Sequence, residues 1–242
     1  MIEETPLAVQ LPEITFPAGL CHFVATPIGN LGDVSLRALA VLALADVVYA
    51  EDTRHTVRLL KRYGLRCSLV SYHDHNKARV VPKIVEELQA GRKVAVVSDA
   101  GMPCINDPGY SLVKALLAAD LPWTIIPGPS STLAALVLSG FSPDRFLFMG
   151  YLPRKKGQRA RVLTEAMNEP GTVIFLESCH RIASTLEILK EIAPERNLAI
   201  AREITKLHEE TLRGTPGQLG ELMTGRRLKG ELVLLLEGTA AQ

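Results

Sequence analysis

The chain has 242 residues, is 47% hydrophobic but only 5% aromatic, and carries 27 Lys and Arg against 26 Asp and Glu, a formal net charge of +1. That length suits one large or two modest domains with an aliphatic α/β core, and near-neutrality excludes a general nucleic-acid coat while leaving room for a local basic patch. No run approaches the ~18 unbroken apolar residues of a membrane helix.

Residues 1–19, with Glu3, Glu4, Glu13 and three prolines, read as a flexible leader rather than a signal peptide, so a cytoplasmic protein is expected. From residue 20 the pattern alternates. Strand-like runs at 21–25, 47–50, 67–72, 93–98 and 123–126 interleave with helical runs at 35–45, 53–63, 77–90, 110–119 and 130–139. Short links between them predict a mainly parallel sheet covered by helices on both faces. The rhythm breaks near Phe141, and a polar, basic connector, GYLPRKKGQR, begins at Gly150. The division is therefore placed after residue 150: an N-terminal α/β domain over 20–150 and a smaller α/β domain with a mixed sheet over 151–242. The second half predicts strands at 172–176, 198–201, 207–213 and 231–237, and helices at 158–168, 181–192 and 216–224.

Three loops follow strands of the first half. PIGN starts at Pro27, SDAGMPCINDPG spans 98–109, and PGPSST starts at Pro127. The first reads better as an ordinary βα turn, and Ser130 or Ser131 could simply cap a helix. The second exceeds the usual 2–6 residues of a βα link, which points to a ligand loop. No GxGxxG or GxxxxGK[ST] occurs, so a cofactor would be held without a diphosphate cradle.

Charged residues empty directly from apolar strands at Glu51, Asp52 and Arg54, and again at Arg202, Glu203 and Lys206. One set alone could be a structural ion pair; one in each domain points toward a cleft between domains. The HDHN run at 73–76 is a polar turn in preference to a metal site, and Cys21, Cys67, Cys104 and Cys179 are too scattered for a zinc site or a disulfide framework. No metal is expected. Arg154, Lys155, Lys156, Arg159 and Arg161, with Arg226, Arg227 and Lys229, could hold a polyanion through phosphates.

Taken together, TPIGNLGD, ADVVYAEDTRHT, HDHN, VSDAGMPCINDPG, PGPSS, GYLPRKK, AREITKLHEE and GTPGQL…KGEL resemble the tetrapyrrole-methylase-like (class III) methyltransferases. The resemblance is strongest to the branch that methylates the ribose 2′-hydroxyl of a decoding-centre cytidine in 16S rRNA. It runs from about Phe23 to Glu237. It implies S-adenosylmethionine bound between two α/β domains, a homodimer, and 16S rRNA within the small ribosomal subunit as partner. By position, Pro27, Ala100, Gly101, Met102, Ile105, Ser130 and Ser131 would line the cofactor, with Glu177 and Ala201 approaching from the second domain. Asp52, Arg54, Lys206, Glu51 and Glu203 would form the catalytic set, Asp52 being the preferred base. Arg154, Lys155, Lys156 and Arg159 would meet RNA. Two departures are visible: Met102 stands where the family commonly has Thr, and the chain stops soon after its last predicted strand, where relatives often continue into a basic extension. Methylation of a small tetrapyrrole, or a non-catalytic module binding cofactor or RNA, are the alternatives.

Overall fold

A computed structural model describes residues 7–226 and 230–239. The chain divides into two compact units that meet in sequence at Ser130 and Ser131. The first is built on β1 (Cys21–Val24), β2 (Val47–Ala50), β3 (Leu69–Ser71), β4 (Val94–Val97) and β5 (Trp123–Ile126). All pair in parallel, in the order β3-β2-β4-β1-β5. β1, β2 and β4 are buried along their whole length, as unbroken apolar strands covered on both faces should be.

Alternate side chains feed two cores. Val24, Val48, Ala50, Ala95 and Val97 cluster with Leu39 and Leu42 of α1 (Leu36–Leu44) and with Leu59 and Leu60 of α2 (Thr53–Arg62). Cys21, Phe23, Val47, Tyr49, Val94 and Val96 cluster with Val80, Ile84 and Leu88 of α3 (Lys77–Gln89) and with Leu112 and Leu116 of α4 (Tyr110–Ala118). The chain winds outward from β1 through β2 to β3, then returns so that β4 and β5 flank β1. The carboxyl ends of β4, β1 and β5 therefore stand side by side, where open parallel sheets bind ligands.

Residues 7–19 correct part of the expected loose leader. They form neither helix nor strand, yet Phe16 is buried and Leu11 and Ile14 pack on the α1/α2 core. The Leu7 N–H also donates to the Arg62 carbonyl at 2.9 Å. The apolar side chains spaced among the prolines hold this stretch down. Residues 1–6 lie outside the described part.

The second unit contains α5 (Ser131–Ser139), β6 (Phe146–Tyr151), α6 (Lys156–Ala166), β7 (Thr172–Ser178) and α7 (Ile182–Ile192), followed by β8 (Leu198–Arg202), β9 (Glu210–Gly214), α8 (Pro216–Met223) and β10 (Glu231–Leu236). Its sheet is mixed, in the order β6-β7-β10-β8-β9, with only β6 and β7 parallel. One core joins Val173, Phe175, Leu198, Ile200, Leu232 and Leu234 to α6, α7 and α8. α5 lies against β8, β9 and β10, and its C-terminal carbonyls of Leu138 and Ser139 accept from Arg213 of β9. This helix looked in sequence like one more βα repeat of the first half. Because it packs on the second sheet, the units divide before it, upstream of the division expected after residue 150.

Candidate active site and cofactor cradle

At the carboxyl edge of the first sheet, the loops after β1 and β4 are knitted together by backbone, and the loop after β5 packs against both. Thr26 and Gly101 exchange two N–H···O bonds of 3.0 Å, and Thr26 Oγ1 donates to the Ser98 carbonyl at 3.2 Å. Gly101 has φ +77°, and a Cβ placed on it would lie 3.3 Å from Ile28 Cγ2 and 3.4 Å from the Pro129 carbonyl. Gly128 is tighter still: a Cβ there would sit 2.9 Å from that of Ala25. Glycine suits both positions: the positive φ at Gly101 strains any side chain, and a Cβ at Gly128 would overlap Ala25. The loops after β1, β4 and β5 thus converge on a floor of peptide groups with small side chains. That floor fits a cofactor recognised by backbone contacts. Pro27 is buried within it, Gly101 is buried, Met102 is half-buried, and Ala100 and Ile105 are exposed beside it. Ser130 ends the third loop and Ser131 begins α5.

Beside this floor, β2 delivers Glu51 and Asp52, and the structure gives them opposite characters. Asp52 is the N-cap of α2, its Oδ1 accepting from the Arg54 N–H at 2.9 Å. The Arg54 guanidinium closes on the same carboxylate at 2.5–3.0 Å. Those side-chain and backbone hydrogen bonds hold the Asp52 carboxyl well below the usual carboxylate range. Its proton affinity is low and its lone pairs are occupied, which suits a helix cap and not a base.

Glu51 is half-buried, and burial pushes its carboxyl up. The neighbouring Asp99 and Asp74 carboxylates push it further, against the Asp99 backbone N–H and His73, which pull it down. Asp99 also accepts the Asp52 N–H at 2.8 Å, fixing the edge of β4 to that of β2. Asp99 was absent from the sequence-derived site set, although its motif had been singled out. The usable signal was its position two residues beyond a fully buried strand, level with Asp52 of the neighbouring strand end. His73 and His75 have ring centroids 5.9 Å apart, and the Asn76 side chain accepts the His73 N–H and donates to Ser71, so HDHN folds as a polar turn. Among the described residues no group of three or more His, Cys, Asp or Glu is arranged to hold a metal ion.

In the second unit the AREITK residues close on themselves. Lys206 Nζ meets Glu203 Oε1 at 3.0 Å, within a hairpin turn where Glu203 and Thr205 take φ of +51° and +67°. Burial raises the Glu203 pKa, but Lys206, the Glu231 N–H and Arg202 outweigh it and hold it below its ordinary value. This turn also explains why β9 starts at Glu210 and not at 207. Arg202 pairs across it with Glu210 at 2.7 Å.

Glu177 was expected at the cofactor. Its side chain is fully buried, and both oxygens are taken, by the Ser178 N–H at 2.6 Å, Thr185 Oγ1 at 2.8 Å and Arg181 at 2.5 Å. Ala201 is buried within β8, between Val233 and Thr211. Both are placed for fold rather than for contact through their side chains.

Of the basic connector, Arg154, Lys155 and Lys156 are exposed where β6 gives way to α6. Arg159 is turned inward instead: it is buried and donates to the Pro153 and Arg154 carbonyls at 3.3 Å and to Ser184 Oγ at 2.6 Å. An arginine one turn into α6 faces α7, so it ties the connector down and is not available to phosphate. Arg161 pairs with Glu165 and Arg226 with Glu210; Arg227 and Lys229 lie outside the described residues.

A parallel five-stranded unit with a glycine floor at its carboxyl edge, joined to a mixed five-stranded unit, defines the two-unit α/β fold of class III methylases. Solved structures agree. The uroporphyrin-III-C-methyltransferase of Thermus thermophilus matches with a TM-score of 0.65 at 23% identity, over 92% of this chain and 96% of that one. The cobalt precorrin-4 methyltransferase CbiF matches with a TM-score of 0.67 at 15% identity, over 93% and 96%.

Residues 21–220 match the family model for tetrapyrrole (corrin/porphyrin) methylases, and the chain belongs to that family. Its curated relatives include the ribosomal RNA small subunit methyltransferase I of Halalkalibacterium halodurans, 44% identical over 91% of this chain and 76% of that protein. The protein of the same name from Escherichia coli O157:H7 is 43% identical over 93% and 79%.

Proposed function

We propose that the protein is an S-adenosylmethionine-dependent methyltransferase acting on the ribose 2′-hydroxyl of a decoding-centre cytidine in 16S rRNA. The observation that carries this reading is likeness over nine-tenths of the chain to relatives named as small-subunit rRNA methyltransferases. Fold neighbours that act on tetrapyrroles are far more distant, at 15–23% identity. A substrate in the small ribosomal subunit places the work in the cytoplasm. Among the described residues no helix is long and apolar enough to cross a membrane.

The cofactor supplies a methyl group on a positively charged sulfur, an electrophile that needs no further activation. What remains for the chain is alignment, worth several kcal/mol of the ~7–11 assigned to well-oriented reactants, and removal of the hydroxyl proton. As the O–CH₃ bond forms and the S–CH₃ bond breaks, that proton passes to a base. Glu51 is the better base: burial and the Asp99 carboxylate push its carboxyl up, and a more basic carboxylate takes up the hydroxyl proton more readily. Asp52 and Arg54 hold the start of α2, and Asp99 orients the edge.

Exposed apolar side chains support a homodimer. Leu133 and Val137 are exposed on α5, Phe146 and Tyr151 on the edge strand β6, and Trp123 and Ile125 on the edge strand β5. Exposed apolar side chains on edge strands mark interaction surfaces.

Incubation with methyl-tritiated cofactor and three acceptors (small subunits lacking the modification, naked 16S rRNA and a tetrapyrrole) tests the function. Label is expected in ribosomal RNA, at a site that becomes resistant to alkaline cleavage because its 2′-oxygen is blocked. Label in the macrocycle alone would overturn the assignment, and cofactor binding without any transfer would support the non-catalytic module.

A further inference from the structure

From Thr53 to His73 the chain contains no acidic residue, while Arg54, Arg58, Lys61, Arg62 and Arg66 supply five of its 27 Lys and Arg. Helix α2 sorts them. Thr56, Leu59 and Leu60 face the core, and Arg54, Arg58 and Lys61 recur at four and three residues on the opposite side, all exposed. Arg54 is 85% exposed at its side chain even while paired with Asp52. Among the described residues no carboxylate pairs with Arg58 or Lys61.

An ordinary solvated helix mixes signs, because like charges four residues apart repel. This one sets Arg54 against Arg58 and Arg58 against Arg62. It also places Arg54 in its first turn, where the helix dipole disfavours a cation. A single-sign face kept against these penalties is the electrostatic footprint of a polyanion. The stripe from Arg54 to Lys61 runs ~10 Å along the helix, and it starts three residues from Glu51. A strand presented at the carboxyl edge of β2 would meet it directly.

We propose that the outer face of α2 is a phosphate track for the RNA substrate, with Arg58 and Lys61 neutralising backbone phosphates next to the methylated nucleotide. The inference rests on the reading of the chain as an rRNA methyltransferase. Cations that contact only phosphate add affinity and salt dependence without base readout. They should therefore act on substrate binding and leave the chemical step alone.

The test compares wild type with Arg58→Ala/Lys61→Ala and with the charge-keeping Arg58→Lys/Lys61→Arg. Each protein is titrated with small-subunit 16S rRNA at several salt concentrations and assayed for methyl transfer; thermal melting and cofactor titration confirm the fold. The alanine pair should lower the slope of log K against log salt by roughly 1.4, at about 0.7 per phosphate on a single strand. KM for RNA should rise several-fold at unchanged kcat, and the charge-keeping pair should restore both. A wild type that binds and methylates RNA with the same slope and KM as the alanine pair would overturn the track alone. A wild type with neither RNA binding nor methylation would remove the functional reading and the track with it. A kcat loss shared by both pairs would overturn the phosphate role in favour of a structural one.

Discussion

The two charged strand ends, EDTR after β2 and AREITK after β8, look alike in sequence and differ in what their carboxylates can do. After β8 the charge is closed off: Glu203 is held by Lys206 and the Glu231 N–H, and its pKa is lowered. After β2 only half of the set is closed. Asp52 is satisfied by its own helix and by Arg54, whereas Glu51 is left half-buried against Asp99 and Asp74 with a raised pKa. A carboxylate whose surroundings oppose its charge is a candidate for proton transfer, and one whose surroundings favour it is a candidate staple. The comparison teaches that position at a strand end nominates a residue, while its partners decide its role.

The most severe challenge to this contrast is Glu51→Gln against Asp52→Asn in single-turnover methyl transfer at saturating cofactor. A general base contributes about 10²–10⁴-fold, so the Glu51 variant should lose that much with cofactor affinity intact. Asn is as good a helix cap as Asp, so the Asp52 variant should lose far less. The reverse order would return the base role to Asp52.

Next in size is Glu177→Ala. Removing a buried partner and leaving Arg181 uncompensated costs about 3–5 kcal/mol. Denaturant unfolding should show that loss, and at a temperature where the variant stays folded the KM for cofactor should be unchanged. A selective rise in that KM with native stability would restore Glu177 to the cofactor. In the first unit, Gly101→Val carries a smaller strain, about 1–3 kcal/mol for a non-glycine residue held at positive φ. It also fills the floor beside Ile28. Calorimetric titration should show cofactor binding lost while RNA binding persists; unchanged cofactor affinity would move the cradle elsewhere.

These contrasts also mark what could be read before any coordinates. The parallel sheet was legible because β1, β2 and β4 are short apolar runs between capped helices. Ser35 accepts the Ala38 N–H at 3.1 Å, and Asp52 the Arg54 N–H at 2.9 Å. The glycine loops were legible too, because turn chemistry is local. Partnership was not legible, since it depends on residues far apart in sequence. Nothing in EDTR says that Asp99 lies against Glu51, and nothing in PRKKGQR says that Arg159 turns inward to Ser184. Allegiance of α5 was hidden for the same reason: its apolar face is visible in sequence, but not which sheet covers it.

The smallest effect is also the one that separates the two carboxylates by sign. Glu51 has a folded pKa above its unfolded value, so its ionisation works against folding at neutral pH; that penalty disappears once the pH falls below the unfolded value, about 4.3. Glu203 has a folded pKa below its unfolded value, so it contributes stability above that range and loses it as the pH falls through the folded pKa. Glu51→Gln should therefore raise the melting temperature at pH 7 and Glu203→Gln should lower it. The latter change should be modest, because a partly exposed ion pair is worth about 0–1 kcal/mol. Both differences from wild type should shrink toward zero as melts are taken down through the carboxylate range. If both variants shifted in the same direction at pH 7, the strand ends would share one electrostatic character, and the assignment of proton transfer to Glu51 would lose its physical basis.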